Sequence, residues 1–286
     1  MSIRTDLALE AKSLYERSAG EQTQNPGVWA RKTKVRGIEV TTLRILDSRG
    51  EQALGKPAGT YTTVELDALM GRDPGGFSRT VHVLARNLRG LLGSSQNVLV
   101  AGLGNRSVTP DAVGPLCLES LIVTRHLKQL GGAFSCFGTV SAVEPGVLGT
   151  TGMESAELVQ SLTRKLQPEA VICVDALAAG SLGRLLSSVQ LTDTGIVPGS
   201  GVQNSRAAIN RETLGVPVVA VGVPTVVDAS GWARTGEDEE KTARDMVLTP
   251  RDIDLRVRQL AKVLGYSLDL ALHPGLTLEM IPCFLP

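Results

Sequence analysis

The amino-acid sequence predicts an α/β protein with a mostly parallel, mixed sheet and helices on both faces. From residue 97 onwards, short apolar runs alternate with amphipathic stretches, which is the pattern of the strand–helix units that build such sheets. Hydrophobic residues make up 42% of the 286 residues, whereas aromatic residues make up only 3%. The core must therefore consist mainly of Val, Leu, Ile and Ala, as is typical of parallel strands covered by helices.

The individual elements follow from local patterns. Residues 1–34 are polar and contain a predicted loop at 16–27. Apolar residues at helical spacing predict a helix over 77–92. Runs of β-forming or apolar residues predict strands, and the remaining amphipathic stretches predict further helices. The strands are expected at 37–46, 59–69, 97–103, 139–145, 169–177, 187–193 and 216–224, and the helices at 111–130, 154–166 and 249–272.

Charge and cysteine usage limit the partners and the compartment. The 29 Lys and Arg residues balance the 29 Asp and Glu residues, so neither a nucleic acid nor a membrane partner is expected. The charged N-terminus lacks the apolar core of a signal peptide, and no run approaches the roughly 20 apolar residues of a membrane span, which predicts a cytoplasmic protein. The widely spaced cysteines are expected to be reduced thiols in or near the core. They are Cys117, Cys136, Cys173 and Cys283.

The loop after the strand at 97–103 resembles the start of a nucleotide-binding site and then departs from it. Its stretch "GLGNRSVTPD" matches only two glycines of the pattern GxGxxG. Thr109 fits a helix N-cap and Pro110 the first helical position, which places Asp111 in the first helical turn. The helix dipole favours a negative charge there. Asp111 thus takes the place of a phosphate, either as a helix-capping acid or as a functional group.

A second acid, Asp175, stands at the end of the apolar strand "AVICVD". It is either bonded to loop amides or faces an opening at the carboxyl edge of the sheet, where ligands collect in open parallel sheets. Adjacent strand ends would bring Asp175 near Asp111. Two neighbouring carboxylates can share a proton, one acting as a base and the other as an acid, and can activate water against an amide.

The stretch "DTGIVPGSGVQNSR" supplies candidate substrate contacts. Asp193 begins the DTG triplet of pepsin-like proteases, but those enzymes are all-β, so Asp193 is grouped with the substrate-binding loop and not with the catalytic acids. Gly199, Ser200 and Gly201 form either a cradle for substrate backbone or an oxyanion, or simply a tight turn. The three histidines lack HExxH or paired spacing, so neither a metal nor a cofactor is expected.

Several long motifs in collinear order resemble the germination proteases of spore-forming bacteria. They cover roughly residues 97–229, and "RTDLALEAK" and "VLTPRDID" extend the similarity toward both termini. The motifs are "GLGNRSVTPDAVGP", "TRHL", "EPGVLGTTGME", "VDALAAGS", "DTGIVPGSGVQNSR" and "TLGVPVVAVGVPTVVDA".

The resemblance implies an endopeptidase of the spore core that begins the degradation of small acid-soluble spore proteins during germination. It also implies an inactive precursor, a homotetramer and an α/β fold resembling the hydrogenase-maturation peptidases. Members of this family are regarded as atypical aspartate-dependent proteases. Their two essential aspartates lie in the "TPD" and "DALA" motifs, which here are Asp111 and Asp175.

The resemblance also suggests how the chain is organised. Residues 1–6 are expected to be a propeptide and residues 7–286 one peptidase domain, in which 95–230 carry the catalytic motifs. The substrates of the family have an acidic residue followed by hydrophobic and small residues, and "TDLALEA" has the same form, which predicts cleavage between Asp6 and Leu7. Both the segment before "DLALEA" and the stretch between Asp228 and Thr249 are shorter than in many Bacillus-type members.

Two alternatives remain open from the residues alone. A metal-dependent maturation peptidase on the same fold would need further acidic or histidine ligands beside Asp111 and Asp175. A non-enzymatic nucleotide-binding regulator would use the loop that begins at Gly102.

Overall fold

The computed structural model describes residues 5–19, 27–71, 73–130, 136–199, 207–229 and 246–285. Within these residues the chain forms one mixed sheet with helices on both faces, which confirms the predicted fold class. The strands are β1 (Val28–Val35), β2 (Ile38–Ile45), β3 (Gly59–Glu65), β4 (Asn97–Gly102), β5 (Thr139–Val143), β6 (Ala170–Ala179), β7 (Ser188–Thr192), β8 (Val218–Asp228) and β9 (Val247–Leu248).

The helices connect and cover these strands. They are α1 (Ala8–Ala19), α2 (Ser48–Leu54), α3 (Asp67–Met70), α4 (Gly76–Leu92), α5 (Val113–Leu118), α6 (Leu148–Thr151), α7 (Ser155–Leu166), α8 (Arg211–Leu214) and α9 (Ile253–Leu272). Short 3-10 helices occur at Thr109–Asp111, Arg125–Leu130, Leu182–Arg184 and Ile281–Cys283. Among the described residues, no helix is both long and apolar enough to cross a membrane.

The sheet has a parallel half and an antiparallel half. The strand order is β1-β2-β3-β7-β8-β6-β4-β5, and β9 pairs with β8. Strands β5, β4, β6 and β8 are parallel to their neighbours in that series, whereas the pairs β8–β7, β7–β3, β3–β2 and β2–β1 are antiparallel. The chain runs from β4 to β5 on one side and then crosses to β6 on the other side of β4. Such a reversal opens a crevice at the carboxyl ends of the strands.

Alternating side chains of β4 explain why helices cover both faces. Val98 and Val100 belong to the large core cluster that includes residues of α4, α5 and α9. Leu99 and Ala101 belong to a second cluster with Val159 of α7. Because successive side chains of a strand point to opposite faces, a buried strand with apolar residues at every position needs a helix on each side.

The N-terminal region holds two elements that the sequence did not predict. The polar composition of residues 1–34 predicts neither a helix nor a strand, yet α1 lies in this region and β1 begins in it. Strand β1 is an edge strand with mostly exposed side chains, so its sequence lacks the apolar alternation of a half-buried strand. A two-residue turn joins β1 to β2, with positive φ at Arg36 (50°) and Gly37 (82°), which fits the twist of a hairpin.

The prediction of one long helix over 111–130 is wrong. Helix α5 ends at Leu118, and the following residues pack against other elements. Ile122 donates its amide to the buried carboxylate of Asp269 at 2.8 Å, and Thr124 donates its amide to the carbonyl of Val140 at 3.0 Å. Hydrogen bonds to other elements therefore replace the helical ones. The β-branched residues Val123 and Thr124 have a low helix propensity, so little helical stability is lost when the helix ends before them.

The cysteines divide into two groups. Cys117 and Cys173 are buried, whereas Cys136 and Cys283 are exposed. The expectation that all of them lie in or near the core is therefore wrong for the last two. Burial raises the pKa of both buried thiols, so Cys117 and Cys173 remain protonated at neutral pH.

Candidate active site

The candidate site lies where β4 leaves the sheet while β6 continues. The last residue of β4, Gly102, pairs with Val174, and the amide of Leu103 still donates to the carbonyl of Val174 at 2.8 Å. Strand β6 runs on to Ala179. Asp175 therefore lies inside β6, and the prediction that it stands at the exit of its own strand is wrong. The opening at this point is created by the end of the neighbouring strand β4.

Asp175 shares a row of the sheet with Gly222 of β8 and Gln190 of β7. Side chains in one row across neighbouring strands lie on the same face. Asp175 is buried, with 5% of the residue exposed, and its Oδ1 accepts a hydrogen bond from the amide of Ala176 at 2.9 Å. A Cβ at Gly222 would stand 2.3 Å from the side chain of Leu177. Glycine at this position therefore leaves space for that side chain.

The loop that carries Asp111 folds back on itself. Oδ2 of Asp111 accepts a hydrogen bond from the amide of Asn105 at 2.7 Å. Gly104 has φ of 104°, and a Cβ there would stand 2.1 Å from the carbonyl oxygen of Asp111. The amide of Asn105, which would face a phosphate in a nucleotide-binding loop, thus bonds to the Asp111 carboxylate of the chain itself. This contact disfavours the nucleotide-binding alternative.

The local helix around Asp111 differs from the prediction in detail. Thr109 is the first residue of a 3-10 helix that ends at Asp111, and Val108 takes the N-cap position expected for Thr109. Pro110 does lie at the start of this helix, where its missing amide is not needed. Asp111 is therefore near the N-terminus of α5 but outside its first turn.

Helix α5 closely approaches the end of β4 and the middle of β6. A Cβ at Gly114 would stand 2.3 Å from the carbonyl oxygen of Leu103 and 2.4 Å from that of Val174. Only glycine fits between two fixed backbone groups at such distances. The small residue therefore holds the Asp111 loop against β6, on the strand that carries Asp175.

Asp111 and Asp175 line the same cavity, which has a volume of about 240 Å³. Gly199 also lines this cavity. Ser200 and Gly201, the other two residues of the glycine-rich loop, lie outside the described residues. Asp193 is not among the residues that line the cavity, and its Oδ1 instead accepts the amide of Thr60 at the start of β3 at 2.7 Å.

The N-terminal segment reaches into the same cavity through Asp6. The backbone amide of Asp6 donates to the carbonyl of Ala178 at 2.9 Å, and the amide of Ala178 donates to Oδ2 of Asp6 at 2.9 Å. Leu7 is only 2% exposed and packs with Leu177, Ala179 and Val227. The residue before the predicted cleavage point, Asp6, thus lines the cavity of the two candidate acids, and the residue after it, Leu7, is buried.

Three polar side chains that sequence reasoning missed hold this segment. Gln190 donates through Nε2 to the carbonyl of Asp6 at 3.2 Å and accepts the amide of Ala8 through Oε1 at 2.8 Å. Lys56 donates to the carbonyl of Thr5 at 3.0 Å. Glu10, in α1, accepts the amide of Gly180 at 2.7 Å and the hydroxyl of Ser181 at 2.7 Å. Gln190 and Lys56 stand in no motif, and Glu10 stands in "RTDLALEAK", where its type alone does not mark it as a contact.

The metal-dependent alternative requires further ligands close to the two acids. Among the described residues, no group of three or more His, Cys, Asp or Glu side chains is placed to hold a metal ion. The residues that line the cavity with Asp111 and Asp175 include one further carboxylate, that of Asp6.

Comparison with known proteins defines this chain first as a peptidase. The family model described as germination protease matches residues 8–238. The germination protease of Caldanaerobacter subterraneus subsp. tengcongensis is 42% identical, with 97% of this chain and 96% of that protein covered. The germination protease of Clostridium perfringens (strain ATCC 13124) is 36% identical, with 99% of both covered. The chain belongs to the germination protease family.

Two further proteins are similar to this chain over part of its length. The germination protease of Oceanobacillus iheyensis is 44% identical, with 79% of this chain and 64% of that protein covered. Among solved structures, the [NiFe] hydrogenase maturation protease HycI from Thermococcus kodakarensis KOD1 has a TM-score of 0.38 and 20% identity, with 64% of this chain and 98% of that chain covered.

Proposed function

We propose that this chain is an endopeptidase that hydrolyses peptide bonds with a water molecule activated by Asp111 and Asp175. The observation that supports this most directly is that both carboxylates line one cavity, into which a segment of polypeptide already reaches. Two acids at one opening, beside a bound chain, supply both the groups and the substrate position that peptide hydrolysis requires.

The reaction needs one carboxyl in each protonation state. The ionised carboxylate removes a proton from water as the water oxygen attacks the carbonyl carbon of the peptide. The protonated carboxyl donates a hydrogen bond to the carbonyl oxygen, which becomes negatively charged. Transfer of a proton to the departing nitrogen then breaks the C–N bond and leaves a carboxylic acid and an amine.

The substrates, the assembly and the compartment are proposed from family membership. We infer that the substrates are small acid-soluble spore proteins, that the chain acts in the spore core and that it assembles as a homotetramer. The relatives of 36–44% identity that carry the name germination protease support a role in germination. The chain is also proposed to begin as a precursor in which residues 1–6 are a propeptide.

Conservative substitutions test the catalytic pair. Asp111→Asn and Asp175→Asn keep the shape of each side chain but remove the proton exchange, so each should lower cleavage of a small acid-soluble spore protein by about 100- to 10,000-fold. Circular dichroism and thermal unfolding should show an intact fold. Asp193→Asn is the matched control, since Asp193 is outside the cavity and an Asn oxygen can still accept the amide of Thr60. Near-normal cleavage by either of the first two variants would show that the pair is wrongly assigned.

A further inference from the structure

Arg106 lies in the loop that carries Asp111, and its side chain contacts two acids and a backbone carbonyl. Nε lies 3.1 Å from Oε1 of Glu144, and Nη2 lies 2.7 Å from Oε2 of the same carboxylate. Nη1 donates to Glu119, and Nη2 also donates to the carbonyl oxygen of Pro115 at 3.2 Å. Only the planar guanidinium of arginine can bind several oxygens in this way. One side chain thus joins the loop after β4 to α5 and to the residue that follows β5.

The contact between Arg106 and Glu144 connects two walls of the candidate active site. Asp111 lies in one wall of the cavity, and Val147 and Ser155, from the segment after β5, lie in another. Arg106 itself is absent from the described residues that line the cavity, and its side chain is 43% exposed. The side chain therefore acts on the walls of the site and not on a bound peptide.

The turn that contains Arg106 supplies the amide that bonds to Asp111. The carbonyl oxygen of Asn105 accepts the amide of Val108 at 3.0 Å, which closes the turn. Arg106 and Ser107 are its central residues, and the amide of Ser107 donates to Oδ1 of Asn105 at 3.0 Å. The amide of Asn105 itself donates to Oδ2 of Asp111 at 2.7 Å. Because these bonds link neighbouring peptide groups, anchoring Arg106 also fixes the amide of Asn105.

We propose that Arg106 is a positioning residue that keeps the amide of Asn105 on the carboxylate of Asp111. It does so by anchoring the turn to Glu144. This inference rests on the proposed function, in which Asp111 works with Asp175. A hydrogen bond from an amide favours the ionised form of a carboxylate and fixes its direction. Without the anchor the turn moves, and Asp111 leaves the geometry that attack by water requires.

Loss of this contact should affect the reaction more than the stability of the fold. Exposed ion pairs contribute little to the free energy of unfolding, so Arg106→Gln should change the thermal midpoint by less than about 4 °C. A catalytic group displaced by about 1 Å, in contrast, can lower a rate about 100-fold. The two measurements together therefore distinguish positioning of Asp111 from a general role in folding.

Steady-state cleavage of a small acid-soluble spore protein by the processed enzyme tests the positioning. Arg106→Gln should lower kcat about 10- to 100-fold and change KM by less than about threefold, because no contact with the substrate is removed. Glu144→Gln should act similarly, and the double variant should be no slower than the slower single variant, since both remove one contact. Arg106→Lys keeps the charge without the planar group and should recover part of kcat.

Arg256→Gln is the matched control. It removes an arginine of similar exposure, whose Nε donates to Oδ2 of Asp252 at 2.7 Å at the start of α9. The chemical change is the same as in Arg106→Gln, but Arg256 is not among the described residues that line the cavity. The control should therefore keep both kcat and KM.

Hydrogen exchange tests the anchor without catalysis. In full-length protein carrying Asp175→Asn, exchange of the Asn105 amide is followed by NMR. Adding Arg106→Gln should accelerate this exchange about tenfold, whereas Arg256→Gln should leave it unchanged. The amide of Leu103, which bonds to β6, is the internal reference and should keep its rate in every variant.

The outcomes separate the anchor from the proposed function. Normal kcat in Arg106→Gln overturns the anchor, and so does an unchanged exchange rate of the Asn105 amide. A thermal midpoint lowered by more than about 10 °C would show a role in folding and would overturn it as well. If the unsubstituted enzyme cleaves no substrate, the proposed function fails, and the exchange measurement still decides whether Arg106 holds the Asn105 amide in place.

Discussion

At the scale of single residues, the site depends on glycines that allow backbone groups to approach each other. Gly104 lets the Asp111 loop fold back, and Gly114 lets α5 contact the end of β4 and the middle of β6. Gly102 and Gly104 match two of the three glycines of a nucleotide-binding pattern, yet this loop positions a carboxylate. Residue type alone indicated a tight backbone there but not its purpose.

Gly114→Ala should destabilise the protein and reduce its activity. The added Cβ would meet two backbone oxygens that cannot move aside, so α5 must shift, at a cost of about 1–3 kcal/mol in the free energy of unfolding. Urea unfolding and peptide cleavage measure the two effects. Gly90→Ala is the matched control, because a Cβ at Gly90 in α4 meets nothing within 4 Å and should stabilise by about 0.5–1 kcal/mol. Equal stability of the two variants would contradict this account of Gly114.

At the scale of elements, α9 carries a buried acid that makes stability depend on pH. Asp269 is fully buried, and its Oδ1 accepts the amide of Ile122 at 2.8 Å. Burial raises the pKa of Asp269 to about 8, against a usual value of 3.8. The folded state therefore holds a proton on Asp269 that the unfolded state has lost between these two pH values. The contribution of Asp269 to the free energy of unfolding is complete below pH 3.8 and is lost as the pH rises through about 8.

Asp269→Asn should flatten this dependence. An amide stays neutral and keeps the oxygen that accepts the Ile122 amide, so the variant should gain stability over the unsubstituted protein as the pH rises from 4 to 8. Urea unfolding across this range measures the difference. His273, which caps the C-terminus of α9, acts in the opposite sense. Burial lowers its pKa, so its contribution to stability is present above the pKa of an unfolded histidine and is lost as the pH falls below that value through the lower folded pKa. An unchanged pH profile in the Asn variant would contradict the assignment.

The N-terminal segment is the second element with a testable consequence. Incubation at mildly acidic pH should produce a new N-terminus at Leu7, because protonation of carboxylates weakens the ion pairs and repulsions that set the conformation of the precursor. Mass spectrometry of the purified protein measures the product. The Asp175→Asn variant should not be processed. Cleavage at another bond, or equal processing of that variant, would contradict self-cleavage at Asp6–Leu7.

At the scale of the whole molecule, the parallel half of the sheet was predictable and the site only in part. The apolar runs of β4, β6 and β8 and the helix α7 have patterns that depend on local sequence. The sequence points to Asp175 because an apolar strand was expected to end there. The opening beside Asp175 instead comes from the end of β4, since β6 continues. Gln190 and Lys56 reach the site from strands and turns far away in sequence, which no local pattern reveals.

Removal of divalent metal ions should leave peptide cleavage intact. The proposed mechanism uses only carboxyl groups and water, so dialysis of the processed enzyme against a chelator is expected to change kcat/KM by less than about twofold. Activity that disappears on dialysis and returns with one particular divalent ion would instead favour the metal-dependent alternative.

The docked N-terminal segment has a consequence for the kinetic order of maturation. A bond that is already seated in the site of its own subunit needs no encounter with a second molecule. Its half-life should then be the same at every protein concentration, because intramolecular contact replaces collision. A dilution series followed by mass spectrometry measures this, and a half-life that lengthens in proportion to dilution would show that one molecule processes another.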